Sequence, residues 1–458
     1  MTKDDIYKKL ISMKEAVLGT SKKESKGVSV TNYASFVRTD DDGIGIWSEA
    51  FQKALNENEH IVIPASDEPY YIDKTITVPS NRCIQALDGA VIRLKKGTKT
   101  LLLRNENNEN GTHIRETFQN PDTDICIIGG LWEEEFEVRA GYGTSGMYDA
   151  ERSYYGVSTC MFFNNVKNLI LKNLTFSHQG AFAVQMGNVK NIVIEDIRFK
   201  KCFADGVHIN GNTENVYINN VKGQVGDDLV ALNMYDWQDS SVDFGPIKTV
   251  WCEGLELDAE GGYKSLRILP GIYYYADGSA VDCSINDAVF KDIKGINTFK
   301  LYFQTPKYHV DEGREPGDTG TGDHIYFENI TVDLDEPVDK LKDYNESNPV
   351  TGSIACFEVG ANIENLFLEN ITVTLHRDKY PMSYFLCAGP KSVRQGKTEI
   401  FDPEINSVIE NVFLKNVSVN SGSTENAKEY IRQIRFDDIY GDGTSTGRGI
   451  IKNIIVQK

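Results

Sequence analysis

The chain has 458 residues and a formal charge of −19, with 67 acidic against 48 basic side chains. The acids are scattered rather than run together, and the chain shows no basic patch of the kind that nucleic acid or an anionic membrane would require. Its eight cysteines stand singly, without Cys-x-x-Cys or matched Cys/His spacing, so the sequence makes no case for structural zinc or a disulfide frame, and no metal or cofactor is expected.

In chain order, Met1 to Leu18 places apolar residues at helical spacing with charges between them, which predicts a short amphipathic helix within an arm over residues 1–25. The charges exclude a signal-peptide core or a membrane span. A cytoplasmic protein is therefore the default expectation, or a secreted one if a leader has been trimmed. As a cap on the first coil of a repeat, or as a subunit contact in a possible homo-oligomer, the helix would have an evident use.

Residues 26–458 read as one domain governed by an internal repeat. Asn165-Val166-Lys167-Asn168-Leu169-Ile170-Leu171 returns as Asn188-Val189-Lys190-Asn191-Ile192-Val193-Ile194, then as Asn212-Thr213-Glu214-Asn215-Val216-Tyr217-Ile218, at spacings of 23 and 24 residues. Echoes begin again near Ile285, His324, Asn362 and Val408. Alternation such as Val193, Glu195 and Ile197 against Ile192, Ile194 and Asp196 has the period of strands. One such coil cannot bury its own apolar side, so coils must stack. The fold class expected is all-β, a right-handed parallel β-helix. Asn191, Asn215, Asn365 and Asn411 fit turn positions that adopt the left-handed conformation and bond their own backbone. Two stretches, about Asn105 to Gly156 and Tyr308 to Asp323, read as irregular loops that wall a groove; the first is rich in Gly141, Gly143, Gly146 and Tyr142, Tyr148, Tyr154, Tyr155.

Within the repeat, Ala204-Asp205-Gly206-Val207-His208-Ile209 and Gly226-Asp227-Asp228-Leu229-Val230 put three carboxylates at the starts of two consecutive strands. Adjacent strands lie about 4.8 Å apart, so the three cannot all ionise easily and one proton is kept near neutral pH. Glycosidic cleavage needs such a set, one protonated carboxyl for the leaving oxygen and one ionised carboxylate for water or the anomeric carbon. With Val207 and Ile209 turned inward, His208 shares the groove side with Asp205, and Asn233 lies on the acids' side of its strand. Tyr302, Trp237 and Tyr273 to Tyr275 are possible platforms for a sugar face. Read blandly, Asp-Gly and Gly-Asp-Asp are only turn formers; their recurrence in register favours chemistry.

These motifs from Val166 to Asn233 resemble the polygalacturonase-like glycoside hydrolases of family 28, in the pectin-lyase-like β-helix superfamily. Asp205-Gly206 and Gly226-Asp227-Asp228 match that family's acid motifs one coil apart, and the coil ending in Gln185 resembles the strand before its first acid. The resemblance implies that Asp227 is the general acid and that Asp205 and Asp228 hold the attacking water in an inverting reaction. Two departures bear on substrate. The family's Gly-His-Gly becomes Gly262-Tyr263-Lys264, and its Arg-Ile-Lys is best matched by Lys300-Leu301-Tyr302, which puts galacturonate in doubt. Lys264, Arg267 and Lys300 could rebuild a carboxylate or sulfate clamp, or could only neutralise the acids.

The expectation is an inverting, exo-acting glycoside hydrolase for a pectin-like or related plant or microbial glycan. Its catalytic residues are Asp205, Asp227 and Asp228, with Gln185, His208, Asn233, Tyr263, Lys264, Arg267, Lys300 and Tyr302 around the substrate. A polysaccharide lyase and a fructan-transforming enzyme of the same fold are the alternatives within catalysis, and a glycan-binding β-helix is the alternative outside it.

Overall fold

The computed structural model describes residues 1–21, 27–98, 100–107, 118–134, 159–180, 182–236, 241–275, 277–302, 318–334, 354–389, 406–435 and 447–458. The repeat folds as expected into a parallel β-helix. Each coil lays its strands in register on those of the next, so that Leu171 pairs with Ile194, Ile194 with Ile218, and Ile218 with Cys252. These inward rows, continued by Phe290, Phe327, Leu368 and Leu414, form one apolar core that runs the length of the stack. Burying each such side chain is worth about 1.5–3 kcal/mol, and every coil supplies the wall that its neighbour lacks.

The corners are made by residues with positive φ, among them Asn168, Asn191 and Asn215, where asparagine is among the few residues to sit at small cost. Asn365 and Asn411 are not among the positive-φ residues. The bonds also differ from the expectation. Asn191 Nδ2 donates to Asn168 Oδ1 at 2.9 Å and Asn215 Nδ2 to Asn191 Oδ1 at 2.8 Å, one coil along rather than to their own backbone. Asn411 and Asn365 are likewise joined, at 3.1 Å. A stacked amide satisfies a turn and fixes the coil register together.

Two expectations are corrected here. The stretch read as loop from Asn105 contains the strands Asp122–Ile128 and Leu131–Glu133, a full course of the wall paired to Met161–Lys172 and Thr175–Ser177. It is hidden because Pro121 and Asp124 stand where the next coil has Asn165 and Asn168, so the asparagine marks of the repeat are missing although Ile125, Cys126 and Ile127 match Leu169, Ile170 and Leu171. The second stretch likewise ends in strand, Asp318–Thr319 followed by Thr321–Asp333.

The other correction concerns the N-terminal helix, α1 (Lys3–Ser21), which lies along the flank of the stack instead of covering its first coil. Ile6, Leu10 and Val17 pack on an outward apolar row, Cys83, Cys126, Ile170, Val193, Tyr217, Trp251 and Val289, one residue from each successive coil. Salt bridges from Lys14 to Glu195 and from Lys3 to Glu369 fix it lengthwise. A 19-residue helix spans about 28 Å at 1.5 Å per residue, the rise of about six coils at 4.8 Å. The first turns of the core are instead sealed by α2 (Ser48–Glu57), whose Phe51, Ala54 and Leu55 join the core cluster.

Candidate active site

The acids stand where the chain turns into the short strands of one face. Val207–Asn210 pairs with Val230–Asn233, Val207 opposite Val230 and Asn210 opposite Asn233, which sets Asp205 beside Asp228. The backbone N–H of Asp228 donates to Asp205 Oδ1 at 3.0 Å, and that of Gly206 to the Asp228 carbonyl at 3.0 Å. Gly226 is required at this turn, since a Cβ there would meet the Phe203 carbonyl oxygen at 2.0 Å. The Gly-Asp-Asp motif thus has a steric reason for its glycine as well as a chemical one for its acids.

Oxygens of Asp205, Asp227 and Asp228 lie within 4.8 Å of one another, close enough to share a cation. The protein supplies one. Arg267 Nη2 stands 2.8 Å from both Asp227 Oδ1 and Asp228 Oδ2, hydrogen-bonded to the former and in ion-pair contact with the latter. Ser265 donates its hydroxyl to Asp228 Oδ1. Asp205 and Asp228 are fully buried, whereas the Asp227 side chain keeps 15 % of its surface. Burial, which outweighs the Arg267 charge, holds the Asp228 carboxyl up at about 7, and the charge of Asp227 adds to the rise. Asp205 is raised as well, by burial first and then by Asp227, against the opposing pull of His208. The cluster therefore keeps a proton near neutral pH, as its spacing requires.

His208 lies on the outer side of its strand, opposite Val207 and Ile209 in the core. It is 1 % exposed, placing it behind the acids and out of reach of solvent. Its Nδ1 is 2.7 Å from Asp205 Oδ2 and its Nε2 is 2.8 Å from Asp236 Oδ2. Phe182 stacks on the ring at 4.3 Å. Asp236 also accepts from Asn233 Nδ2 at 3.1 Å and Asn210 Nδ2 at 3.4 Å, while Gln185 Nε2 donates to Asn210 Oδ1 at 3.2 Å. A buried segment closes over this network, with the Val242 N–H on Asn210 Oδ1 at 3.0 Å. Gly187 leaves it room, because a Cβ there would come within 2.8 Å of Val242 Cβ.

The structure thus gathers Asp205, Asp227, Asp228 and Arg267 into direct contact, with His208 bonded to the first. Lys300 faces Arg267 across the strand pairing, and its charge acts on Asp228. It is buried, with its ammonium 5.2 Å from the Tyr263 ring centroid. Tyr263 keeps 39 % exposure and is the open aromatic of the group, while Tyr302 is buried near Arg267. Gln185, His208 and Asn233 are completely or almost completely buried and form supports behind the acids instead of a ligand surface. Lys264 is also buried, in a left-handed turn whose carbonyl receives the N–H groups of Asn297 and Thr298. Tyr273 is no platform, for it stacks flat on Phe244 at 3.9 Å inside the core. Trp237, Tyr142 to Tyr155 and the loop from His309 to its last residues before Asp318 lie outside the described residues.

Sequence reasoning missed Asp236, Asn210 and Ser265. Asn210 carried a signal, since it recurs as Asn233 one coil later, and Ser265 shares a strand face with Arg267. Asp236 carried none, lying beyond the strand where the period stops.

The model of glycosyl hydrolases family 28 matches residues 150–265, which include all three acids. No curated protein matches the chain. Among solved structures, the chain is similar to the endo-xylogalacturonan hydrolase of Aspergillus tubingensis, with 14% identity over 82% of this chain and 91% of that one, at a TM-score of 0.45. It is similar to the family 28 exopolygalacturonase of Yersinia enterocolitica, with 10% identity over 94% and 79% at a TM-score of 0.42. It is also similar to PfbA, a surface adhesin of Streptococcus pneumoniae, with 10% identity over 94% and 93% at a TM-score of 0.38.

Proposed function

We propose, from the match of residues 150–265 to the model of glycosyl hydrolases family 28 and from the geometry of the acids, that the protein is a glycoside hydrolase that cleaves a pectin-like or related glycan from a chain end, with inversion. The observation that carries the reading is one partly open aspartate, Asp227, joined through a single guanidinium to a buried aspartate that keeps its proton to about pH 7. Asp227 is the member able to meet a glycosidic oxygen, and it delivers the proton that the cluster holds. Asp205 and Asp228 hold the water. Arg267 keeps three acids together that would otherwise repel, and Tyr263 offers the adjacent sugar a face.

Inversion is carried over from the family resemblance alone. The oxygen spacing, within 4.8 Å, is shorter than the roughly 6.5–9.5 Å usual between inverting carboxyls, so the anomer released first, read by NMR, decides it. Exo-action rests on the residues left between the wall strands, 135–158 and 303–317, which the sequence reads as walls of a groove, and product length in a time course tests it. A lyase would need a free base beside the substrate, and Arg267 is committed to two carboxylates.

The test is a screen of pectic and other oligosaccharides in EDTA, with wild type beside Asp227→Asn and with reducing-end and ultraviolet readouts. Reducing sugar from wild type alone supports the hydrolase. An ultraviolet-absorbing unsaturated product would establish the lyase, and glycan binding unchanged in Asp227→Asn without turnover would establish a binding protein.

A further inference from the structure

Directly behind the three acids and Arg267 lies a buried titratable side chain. His208 is an imidazole with no exposure worth the name, held at both nitrogens by carboxylates from different parts of the coil. We infer that His208, clamped by Asp236, is a positioning residue that sets the orientation and charge of Asp205 for catalysis. The inference rests on the proposed hydrolase.

The geometry carries it. Asp205 Oδ1 receives the Asp228 N–H and Asp205 Oδ2 faces His208 Nδ1, so both oxygens are spoken for and the carboxylate plane is fixed. Asp236 fixes the imidazole in turn through Nε2, and is itself held by Asn233 and Asn210. Phe182 stacks on the ring from the preceding coil, and Gln185 and Ala231 are its register neighbours on either side. The charged groups that bear on it are therefore Asp205 and Asp236, with Asp227 and Arg267 reaching Asp205 beyond. Burial works against an imidazolium here, but the hydrogen bonds and charges of the two carboxylates prevail and raise its pKa to about 9. A buried carboxylate bonded to such a cation gives up its proton more readily than one left alone, which keeps Asp205 able to accept a proton from water. The arrangement has the logic of a base held in place by a third group.

The experiment compares wild type, His208→Gln and Asp236→Asn in full pH–rate profiles on the substrate found above, and follows the His208 imidazole by 15N NMR titration. Removing the cation is expected to lower kcat about tenfold to a hundredfold, below the loss of a general base itself because the carboxylate remains, with KM within about twofold. The acidic limb of kcat should move to higher pH, because Asp205 then keeps its proton longer. Asp236→Asn preserves an acceptor for Nε2 while deleting a charge, so its activity should persist at low pH and fall on the alkaline side as His208 loses its proton early. In the double variant the losses should be less than additive. By NMR, wild-type His208 should remain charged past pH 8, and earlier deprotonation in Asp236→Asn should follow.

A kcat and limb position unchanged in His208→Gln would overturn the inference. So would a wild-type imidazole already neutral at pH 7, a result that stands whether or not a substrate is found. Should His208→Gln fail to fold, Asp236→Asn and the titration still decide. Absence of any hydrolysis by wild type would sink the proposed function itself, and with it the catalytic role, while leaving the titration to report on the clamp alone.

Discussion

Two flanks of the same solenoid expose the outward residues of the same repeat and treat them in opposite ways. Under α1 the outward row is Cys83, Cys126, Ile170, Val193, Tyr217, Trp251 and Val289, apolar throughout and covered by a helix. On the strand face that carries the site, the outward row reads Gln185, His208, Ala231, Arg267 and Lys300, polar or charged at four of five positions and buried nonetheless. The inward rows of both flanks are alike. Stability is thus supplied from within by any coil, whereas what an outward row does depends on whether its burial is rewarded by apolar contact or must be met by hydrogen bonds and opposite charge. The first flank is tolerant of chemistry but sensitive to volume, and the second is the reverse.

The largest effect should come from the acid that volume does not notice. Asp227→Asn keeps the shape of the side chain and should lower kcat by about 10²–10⁴-fold, the usual worth of a general acid, with the melting temperature near that of wild type. Arg267→Met should damage both quantities, since it strands Asp227 and Asp228 without their cation. A buried ion pair broken on one side costs about 3–5 kcal/mol, to be read by urea denaturation at pH 8, and the loss should shrink at pH 5 where the cluster can hold more protons. Leu10→Ala on the α1 flank should cost about 2–5 kcal/mol, as deletions of fully buried leucines do, and leave kcat and KM unchanged at low temperature. An equal loss of activity in Leu10→Ala would erase the distinction between the flanks.

The pH dependence of stability sharpens the comparison further. Asp228 loses its proton at about 7 in the folded chain against about 3.9 when unfolded, and His208 at about 9 against about 6.5. In both cases the folded state binds the proton more tightly, so the stabilisation is complete below the unfolded value and is lost as pH rises through the folded one. The melting temperature of wild type should fall as pH rises, from about 4 to 7 through Asp228 and from about 6.5 to 9 through His208, and the slope of the upper part should flatten in His208→Gln. A flat wild-type profile would remove the charge on His208 from the account. The smallest effect expected is that of Asn215→Ser, which removes one rung of the amide stack, the bond from Asn215 to Asn191, and should cost about 0.5–1.5 kcal/mol for the hydrogen bond, measured by the same denaturation with activity intact.

The fold was legible because a period of 23 or 24 residues repeats the same inward apolar positions, and a chain that repeats them has no better way to bury them than to stack. Where the repeat's asparagines are replaced, as by Pro121 and Asp124, the coil lost its mark and a strand passed for loop. The trio and His208 were legible for the same reason as the fold, since they stand at equivalent points of adjacent coils. Their division of labour was not. Whether Gln185, Asn233 and Lys264 touch a ligand or lie beneath the surface depends on what covers the strand face, and the segment holding Asp236 and Val242 lies off the period. Local sequence therefore determined the coil, its register and the gathering of Asp205, Asp227 and Asp228. Tertiary structure alone decided that α1 runs along the flank and that Asp236 backs His208, because neither contact has a shared repeat position to announce it, and it decided which acids Arg267, already placed by its row beside them, would bridge.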